Sequence, residues 1–352
     1  MIVLFVRDFF SFNFKDMIMN ILIKSLKELG INVLESMKVK TFTDLTPEQA
    51  LLVPKVNSLY KFRYKELIEV LSWFNQPTAP LYLYGPSGTG KTSLIKEFCA
   101  RLNKPCIELT CSSKLEASDL LGTYVLGKAD VNDKEPSMLW QDGALVRAMR
   151  TGALLLLNEY DLADPSQMSA LNGVLEDGHI VLETHGCEVV EAQSGFCVVV
   201  TANTNGAGDN TGRYIGCAEL NQAQLDRFLF VKVDYMSAED EQELLNRWAQ
   251  GRVYPDFIDR LVEQANELRF QFVEGTINVP VTTRKLLHFL ERMCLFYGSP
   301  LGESEVLEMC ISECFALRGA DDAITGGIKE AFMQRLSGVD IFNPNPSQVR
   351  VA

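Results

Sequence analysis

Short apolar runs separated by helix-length stretches dominate the middle of the chain. Leu81-Tyr82-Leu83-Tyr84 and residues 106–109, 153–157, 198–201 and 228–233 are largely apolar runs. Between them, residues 93–102, 144–149 and 165–175 carry apolar positions at helical spacing. Short runs without alternation suit strands covered on both faces, and strands alternating with helices predict a mostly parallel α/β sheet. In such a sheet a ligand sits beyond the carboxyl ends of the strands.

Two stretches depart from this alternation. Residues 122–142 are polar and aromatic, contain Pro136 and hold few helix signals, and so read as irregular. Residues 179–193 alternate around Thr184-His185-Gly186 and predict a β-hairpin. From Ser237 the pattern becomes helical over 239–250, 257–270, 282–297, 304–317 and 323–336, predicting a separate all-helical unit. Ahead of the core, residues 19–29 predict a helix stopped by Gly30, residues 39–46 an extended segment and residues 64–74 another helix, with a linker over 75–80. Pro344 and Pro346 mark a loose tail from Ile341. The expected organisation is an N-terminal helical or extended segment (1–55), an αβα core (56–235), a helical unit (236–337) and a tail (338–352). Residues 1–16 fit none of this patterning, which predicts a translation start at Met17 or Met19, and an intact mass tests it.

Composition narrows the function. The 352 residues, 47% hydrophobic, suffice for two or three packed units. A net charge of −13 argues against a broad nucleic-acid or anionic-membrane surface, and so against a DNA motor. The nine cysteines form no CxxC pair and do not cluster with histidine; Cys310 and Cys314 lie one helical turn apart without a further ligand. They read as reduced thiols of a cytoplasmic protein. The apolar residues 1–6 are too few to cross a membrane and are followed by Arg7 and Asp8.

The most specific chemistry follows the first core strand. Gly85-Pro86-Ser87-Gly88-Thr89-Gly90-Lys91-Thr92, continued by Ser93, has the strand, glycine loop and helix order of a phosphate-binding P-loop. Glycines let backbone N–H groups turn inward around phosphates, and the helix N-terminus adds partial positive charge. Lys91 is expected to reach the β- and γ-phosphates of ATP, and Thr92 to hold Mg2+ through its hydroxyl. The run Leu154-Leu155-Leu156-Leu157 delivers Asn158 and Glu159 to the same sheet edge. Glu159 is the candidate for activating the attacking water, while Asn158 can hydrogen-bond Mg2+-bound water without bringing charge. Asp161 lies close enough in sequence to add charge. Asn203 ends the run 198–201 and is expected either to orient the lytic water or to read the γ-phosphate. Arg227 precedes the last core strand and serves its own nucleotide, a neighbouring subunit's, or an ion pair with Asp226. Arg284, near a helix start, is a further candidate for touching the nucleotide. His179, His185 and His288 show no ligand spacing.

These residues together carry a family resemblance. Thr201-Ala202-Asn203-Thr204, the glycine-rich stretch to Gly216, and Asn221-Gln222-Ala223-Gln224-Leu225-Asp226-Arg227 resemble the pattern T-A-N-T-x-G-x-G-D-x-T-G-x-Y-x-G followed by N-Q-x-Q-x-D-R. That pattern belongs to AAA+ ATPases of the MoxR-like group, and within it to the CobS type, the ATPase subunit of aerobic cobaltochelatase. Asn158-Glu159-Tyr160-Asp161 is similar to that group's D-E-Y-D. The similarity runs from about Lys38 to Tyr297. It implies a P-loop AAA+ core with a C-terminal helical lid. It also implies that Gly85 to Thr92 form Walker A, Asn158 and Glu159 Walker B, and Asn203 sensor 1, with Arg227 a finger acting on a neighbouring subunit and Arg284 at sensor 2. Tyr60 and Phe62 are implied to flank the adenine, and residues 122–142 and 179–193 to be insertions, one of them facing a pore. The family further implies a homo-oligomeric ring, a hexamer in the family's manner, acting on a protein partner that often contains a von Willebrand A domain. The chain departs from the family in Asn158, where the family has aspartate, and in Pro86-Ser87, where cobaltochelatase subunits have Tyr-His. An ATP-hydrolysing ring that remodels a partner is therefore expected, with a chelatase ATPase subunit and a weakly hydrolysing assembly scaffold as the alternatives.

Overall fold

The computed structural model describes residues 20–31, 38–128, 135–208, 214, 216–277, 279–298, 300–315 and 322–344. Residues 1–16 and the two proposed start codons lie outside these. The first element is β1 (Asn20–Ser25), paired antiparallel with β2 (Lys38–Thr43) so that Lys24 faces Val39. The helix expected over 19–29 is thus a strand followed by a tight turn at Leu26 to Gly30. So short an apolar run suits either period, and pairing with β2 decides the outcome. Leu26, Ile31, Val39 and Phe42 are buried with Leu67, Leu71 and Phe98, so this ribbon shares the core of the sheet layer.

The helix α1 (Pro47–Leu51) is capped reciprocally by Thr46 and Gln49. In α2 (Tyr64–Asn75), Leu67, Val70, Leu71 and Phe74 recur at helical spacing and are buried. Then follow β3 (Leu81–Tyr84), α3 (Lys91–Leu102), β4 (Cys106–Thr110), α4 (Ala117–Leu121), β5 (Gly122–Gly127) and β6 (Ser137–Asp142). Next come α5 (Ala144–Thr151), β7 (Leu154–Asn158), α6 (Ala170–Asp177), β8 (His179–Leu182), β9 (Glu188–Glu191), β10 (Cys197–Ala202), α7 (Gln222–Leu225) and β11 (Leu229–Lys232).

The five-stranded sheet has the order β11-β3-β10-β7-β4 and every pairing is parallel. Leu154 and Leu156 bury into the core on one face, while Leu155 and Leu157 bury into the core on the other. This explains why the strands read as continuous apolar runs. Register levels the carboxyl ends: Tyr84 pairs with Ala202, and Thr110 with Asn158. Gly85, Asn158, Glu159 and Asn203 therefore leave the sheet on the same edge.

The stretch read as irregular, 122–142, is a β-hairpin: β5 and β6 pair Tyr124 with Trp140 and Leu126 with Met138. Its polar and aromatic composition hid the alternation, and residues 129–134 lie outside the described residues. The predicted second hairpin is β8 and β9, with Val181 opposite Val189. The two hairpins meet where the His185 ring stacks on Trp140 at 4.5 Å, and Tyr124 Oη lies 3.0 Å from His185 Nδ1.

The helical unit comprises α8 (Ala238–Ala249), α9 (Pro255–Glu274), α10 (Thr283–Leu295), α11 (Glu303–Phe315) and α12 (Asp322–Leu336). Its core is a file of buried rings, Phe257, Phe289, Phe315 and Phe332, at centroid separations of 6.3, 5.4 and 4.2 Å. The segment from Ile341 is docked rather than loose as far as it is described. Ile341 is buried, Phe342 bridges to Val253, and Asn343 Nδ2 donates to the Gly251 carbonyl at 3.0 Å. Residues 345–352 lie outside the described residues.

Candidate functional site

The loop from β3 to α3 wraps around an N-terminal helix end as the glycine spacing predicts. Gly85 has φ +147° and a side chain there would meet the Val233 carbonyl at 2.2 Å. Gly88 has φ +78°, and an added Cβ would lie 2.3 Å from Thr282 Cγ2. Both positions exclude a side chain by conformation and by space. The second contact brings the first turn of α10, capped by Thr282, against the loop. Arg284 stands two residues further on and is exposed.

Lys91 opens α3 and is buried. Its Nζ donates to the carbonyls of Gly85 at 2.8 Å and Pro86 at 2.9 Å, and to Asn203 Oδ1 at 3.1 Å. Burial lowers its pKa to about 8, against the opposing pull of the Asp161 and Glu159 carboxylates. Thr89 Oγ1 donates to the Pro86 carbonyl at 3.0 Å, and Gly90 caps α3 in the left-handed conformation. Ser93 continues the first turn of α3 and is exposed.

Thr92 Oγ1 donates to Asn158 Oδ1 at 2.8 Å, and Thr201 Oγ1 donates to the same oxygen at 3.1 Å. Asn158 Nδ2 donates to Glu108 Oε1 at 2.5 Å. Glu159 is exposed and adopts φ +55°, ψ +43° as the chain turns from β7 into a 3-10 turn at Tyr160–Leu162. A left-handed glutamate costs about 1–3 kcal/mol and is tolerated where surroundings dictate the conformation. Asp161 is fully buried. Its Oδ2 accepts from the N–H groups of Asn203 (2.9 Å) and Thr204 (3.0 Å) and from Thr204 Oγ1 (3.2 Å). Its role is therefore to anchor the loop after β10 and aim Asn203 at Lys91.

The remaining expected residues divide. Arg227 does not pair with Asp226, which accepts instead from Gln222 Nε2 at 3.0 Å. Its guanidinium is held by Glu176 of α6 and by the Ala223 carbonyl, on the partly exposed flank of the sheet layer. Phe62 is buried against Phe98 at 6.1 Å, with the Tyr60 ring on it at 4.9 Å. Burial raises the Tyr60 phenol.

Four contributors, one of them an ion pair, were not anticipated. The Ser87 N–H donates to Tyr214 Oη and the Tyr235 hydroxyl donates to the Ser87 carbonyl, each at 3.4 Å. Arg269 lies over the Tyr235 ring at 4.8 Å and forms a buried bidentate pair with Glu241 at 2.6 and 2.8 Å. Glu108 is the fourth. Its only sequence signal is a carboxylate inside the apolar run Cys106-Ile107-Glu108-Leu109.

The donor set suits a triphosphate and a hard divalent cation: a glycine loop at a helix N-terminus, one buried lysine, a threonine hydroxyl, an amide oxygen and two nearby carboxylates. Among the described residues no group of three or more His, Cys, Asp or Glu side chains could hold a metal ion. No described helix is long and apolar enough to cross a membrane.

Residues 80–228 match the AAA domain of the dynein-related subfamily. Over 248 residues the chain is 27% identical to the aerobic cobaltochelatase subunit CobS of a Sinorhizobium species, covering 69% of this chain and 74% of that protein. An uncharacterized protein of Staphylococcus haemolyticus is 29% identical over 199 residues, 56% of this chain and 71% of its own. A solved structure of a candidate ATPase from Cytophaga hutchinsonii covers 84% of each chain at 16% identity and a TM-score of 0.41.

Proposed function

We propose, from the premise that the chain is an AAA+ protein related to CobS with a helical lid, that it binds ATP with Mg2+ at the P-loop and hydrolyses it within a ring of like subunits. The observation that carries this reading is the convergence of two hydrogen-bonded pairs, Lys91 with Asn203 and Thr92 with Asn158, at the carboxyl edge of the sheet. The loop N–H groups and Lys91 would hold the β- and γ-phosphates, and Thr92 and Asn158 would hold Mg2+ and its waters. Mg2+ held there would supply charge neutralisation to the phosphates. Glu159 takes the proton of the attacking water, and Asn203 orients that water against the γ-phosphate. Arg227, on an outer flank and held by one exposed carboxylate, suits release from Glu176 toward a neighbour's γ-phosphate. The loop contact with Thr282 of the lid, and the contact with Tyr235 on which Arg269 of the lid rests, couple nucleotide state to the angle of the lid, and the ring converts that motion into remodelling of a protein partner.

Similarity to CobS supports a second reading, in which the chain is the ATPase subunit of a metal chelatase. Turnover of the purified protein, alone and with Glu159→Gln, tests the first. Hydrolysis abolished by Glu159→Gln with nucleotide binding intact is the expected result; no hydrolysis by the wild type leaves an assembly scaffold. ATP-dependent cobalt insertion on adding a large chelatase subunit would establish the second reading.

A further inference from the structure

We propose that Glu108 is the residue that makes Asn158 competent toward Mg2+, replacing as a charge-and-orientation pair the single carboxylate expected at the end of β7; this rests on the Mg2+-nucleotide reading above. An asparagine presents a donor on one side and an acceptor on the other, and can sit either way round. Threonine hydroxyls cannot choose between the two, because each can donate or accept. A carboxylate only accepts. With Glu108 Oε1 2.5 Å from the Asn158 side chain, the NH2 must face Glu108, and Oδ1 must face Thr92 at 2.8 Å. The hydroxyl proton of Thr92 is then committed to Asn158, and the lone pairs of Thr92 Oγ1 are left for the cation. The second oxygen of Glu108 accepts from Lys96 Nζ at 2.7 Å, which fixes the carboxylate in turn. Thr92 and Lys96 are one turn apart on α3, so one helix face grips both ends of the pair. The backbone makes this arrangement available because β4 runs parallel beside β7, with Glu108 opposite Leu156 and Thr110 opposite Asn158. The negative charge missing from position 158 therefore stands one side chain further out. Glu108 is a positioning residue, and its effect reaches the cation through the Asn158 amide.

The test uses the full chain and a fluorescent ATP analogue, titrated first in EDTA and then with Mg2+. Glu108→Gln is expected to bind the analogue as the wild type does in EDTA and to need about tenfold more Mg2+ for the metal-dependent gain in affinity, the usual scale for a group that supports a metal ligand. Asn158→Asp alone places two carboxylates in contact. It is expected to lower the urea midpoint of the ligand-free protein and to leave the Mg2+ response no stronger than in the wild type. Asn158→Asp with Glu108→Gln moves the charge from one strand to the other and is expected to restore both the midpoint and the Mg2+ response. An unaltered Mg2+ requirement in Glu108→Gln overturns the proposal, as does a stronger Mg2+ response in Asn158→Asp with Glu108 in place. A wild type that binds the analogue in neither condition removes the nucleotide reading and this inference together. Binding with a normal Mg2+ response that is indifferent to Glu108 removes this inference alone.

Discussion

The pair Arg269–Glu241 is the most heavily invested polar contact in the helical unit, and removing its cation gives the sharpest stability prediction. Both side chains are almost completely buried, at 4% and 0% exposure. Besides its two bonds to Glu241, Arg269 donates through Nε to the Val281 carbonyl at 2.6 Å, while Glu241 also accepts from Thr283 Oγ1 at 2.6 Å. The pair thus ties α8, α9 and the start of α10 together beneath Tyr235. Arg269→Met keeps the length of the stem but leaves Glu241 buried without a countercharge, at a cost of about 3–5 kcal/mol. Substituting both partners by methionine removes the stranded charge and is expected to recover at least about half of that loss, because desolvation of two ions is no longer required. Urea unfolding of wild type, both single variants and the double variant forms a double-mutant cycle. A single-variant loss below about 1 kcal/mol would show that the pair is solvated. Losses that simply add in the double variant would refute the coupling. Since Thr282 touches Gly88, nucleotide affinity is expected to fall in Arg269→Met and to return in the double variant.

Further outcomes follow from the site. Lys91 has a folded-state pKa depressed to about 8, so it is mostly charged at pH 7 and mostly neutral at pH 9.5; nucleotide affinity is expected to drop about 30-fold between these values, and to stay level in Lys91→Arg. In the unliganded protein the same shift acts in the opposite direction: the buried charge is a cost below pH 8 that lifts as pH rises toward the unfolded pKa, so wild type gains about 2 kcal/mol over Lys91→Met between pH 7 and 9.5 in urea unfolding. Arg227→Ala is expected to leave nucleotide binding unchanged and to reduce turnover by about 10^3-fold or more, with activity partly recovered when it is mixed with Glu159→Gln subunits. Recovery sinks to nothing if Arg227 serves its own nucleotide. His185→Ala is expected to separate the two hairpins, seen as a shift in Trp140 fluorescence and faster proteolysis near residue 185, because it removes both the ring stack and the Tyr124 bond.

The parallel sheet was legible because each strand is apolar on both faces, and the glycine loop between β3 and α3 because Gly85 and Gly88 must adopt positive φ where no side chain fits. The ribbon at Asn20–Ser25 was not legible as a strand, since so short an apolar run suits helix and strand alike until it pairs with Lys38–Thr43. The hairpin at Gly122–Gly127 and Ser137–Asp142 was hidden by exposed, mixed side chains whose pattern packing does not enforce. Ile341 and Asn343 were read as loose because the prolines beyond them outweighed a docking that depends on Gly251 and Val253.

By itself the sequence determined which groups gather at the carboxyl edge of the sheet: a glycine loop, a lysine at a helix start, and polar residues at the ends of apolar strands. Local stereochemistry and the two-faced burial of strands suffice for that. Only the tertiary structure decided whom each group meets. Strand order set Glu108 beside Asn158, a buried aspartate aimed Asn203 at Lys91, and Arg227 went to Glu176 instead of its sequence neighbour. Those pairings join residues from 42 to 51 positions apart, and no local pattern records which distant side chain arrives first.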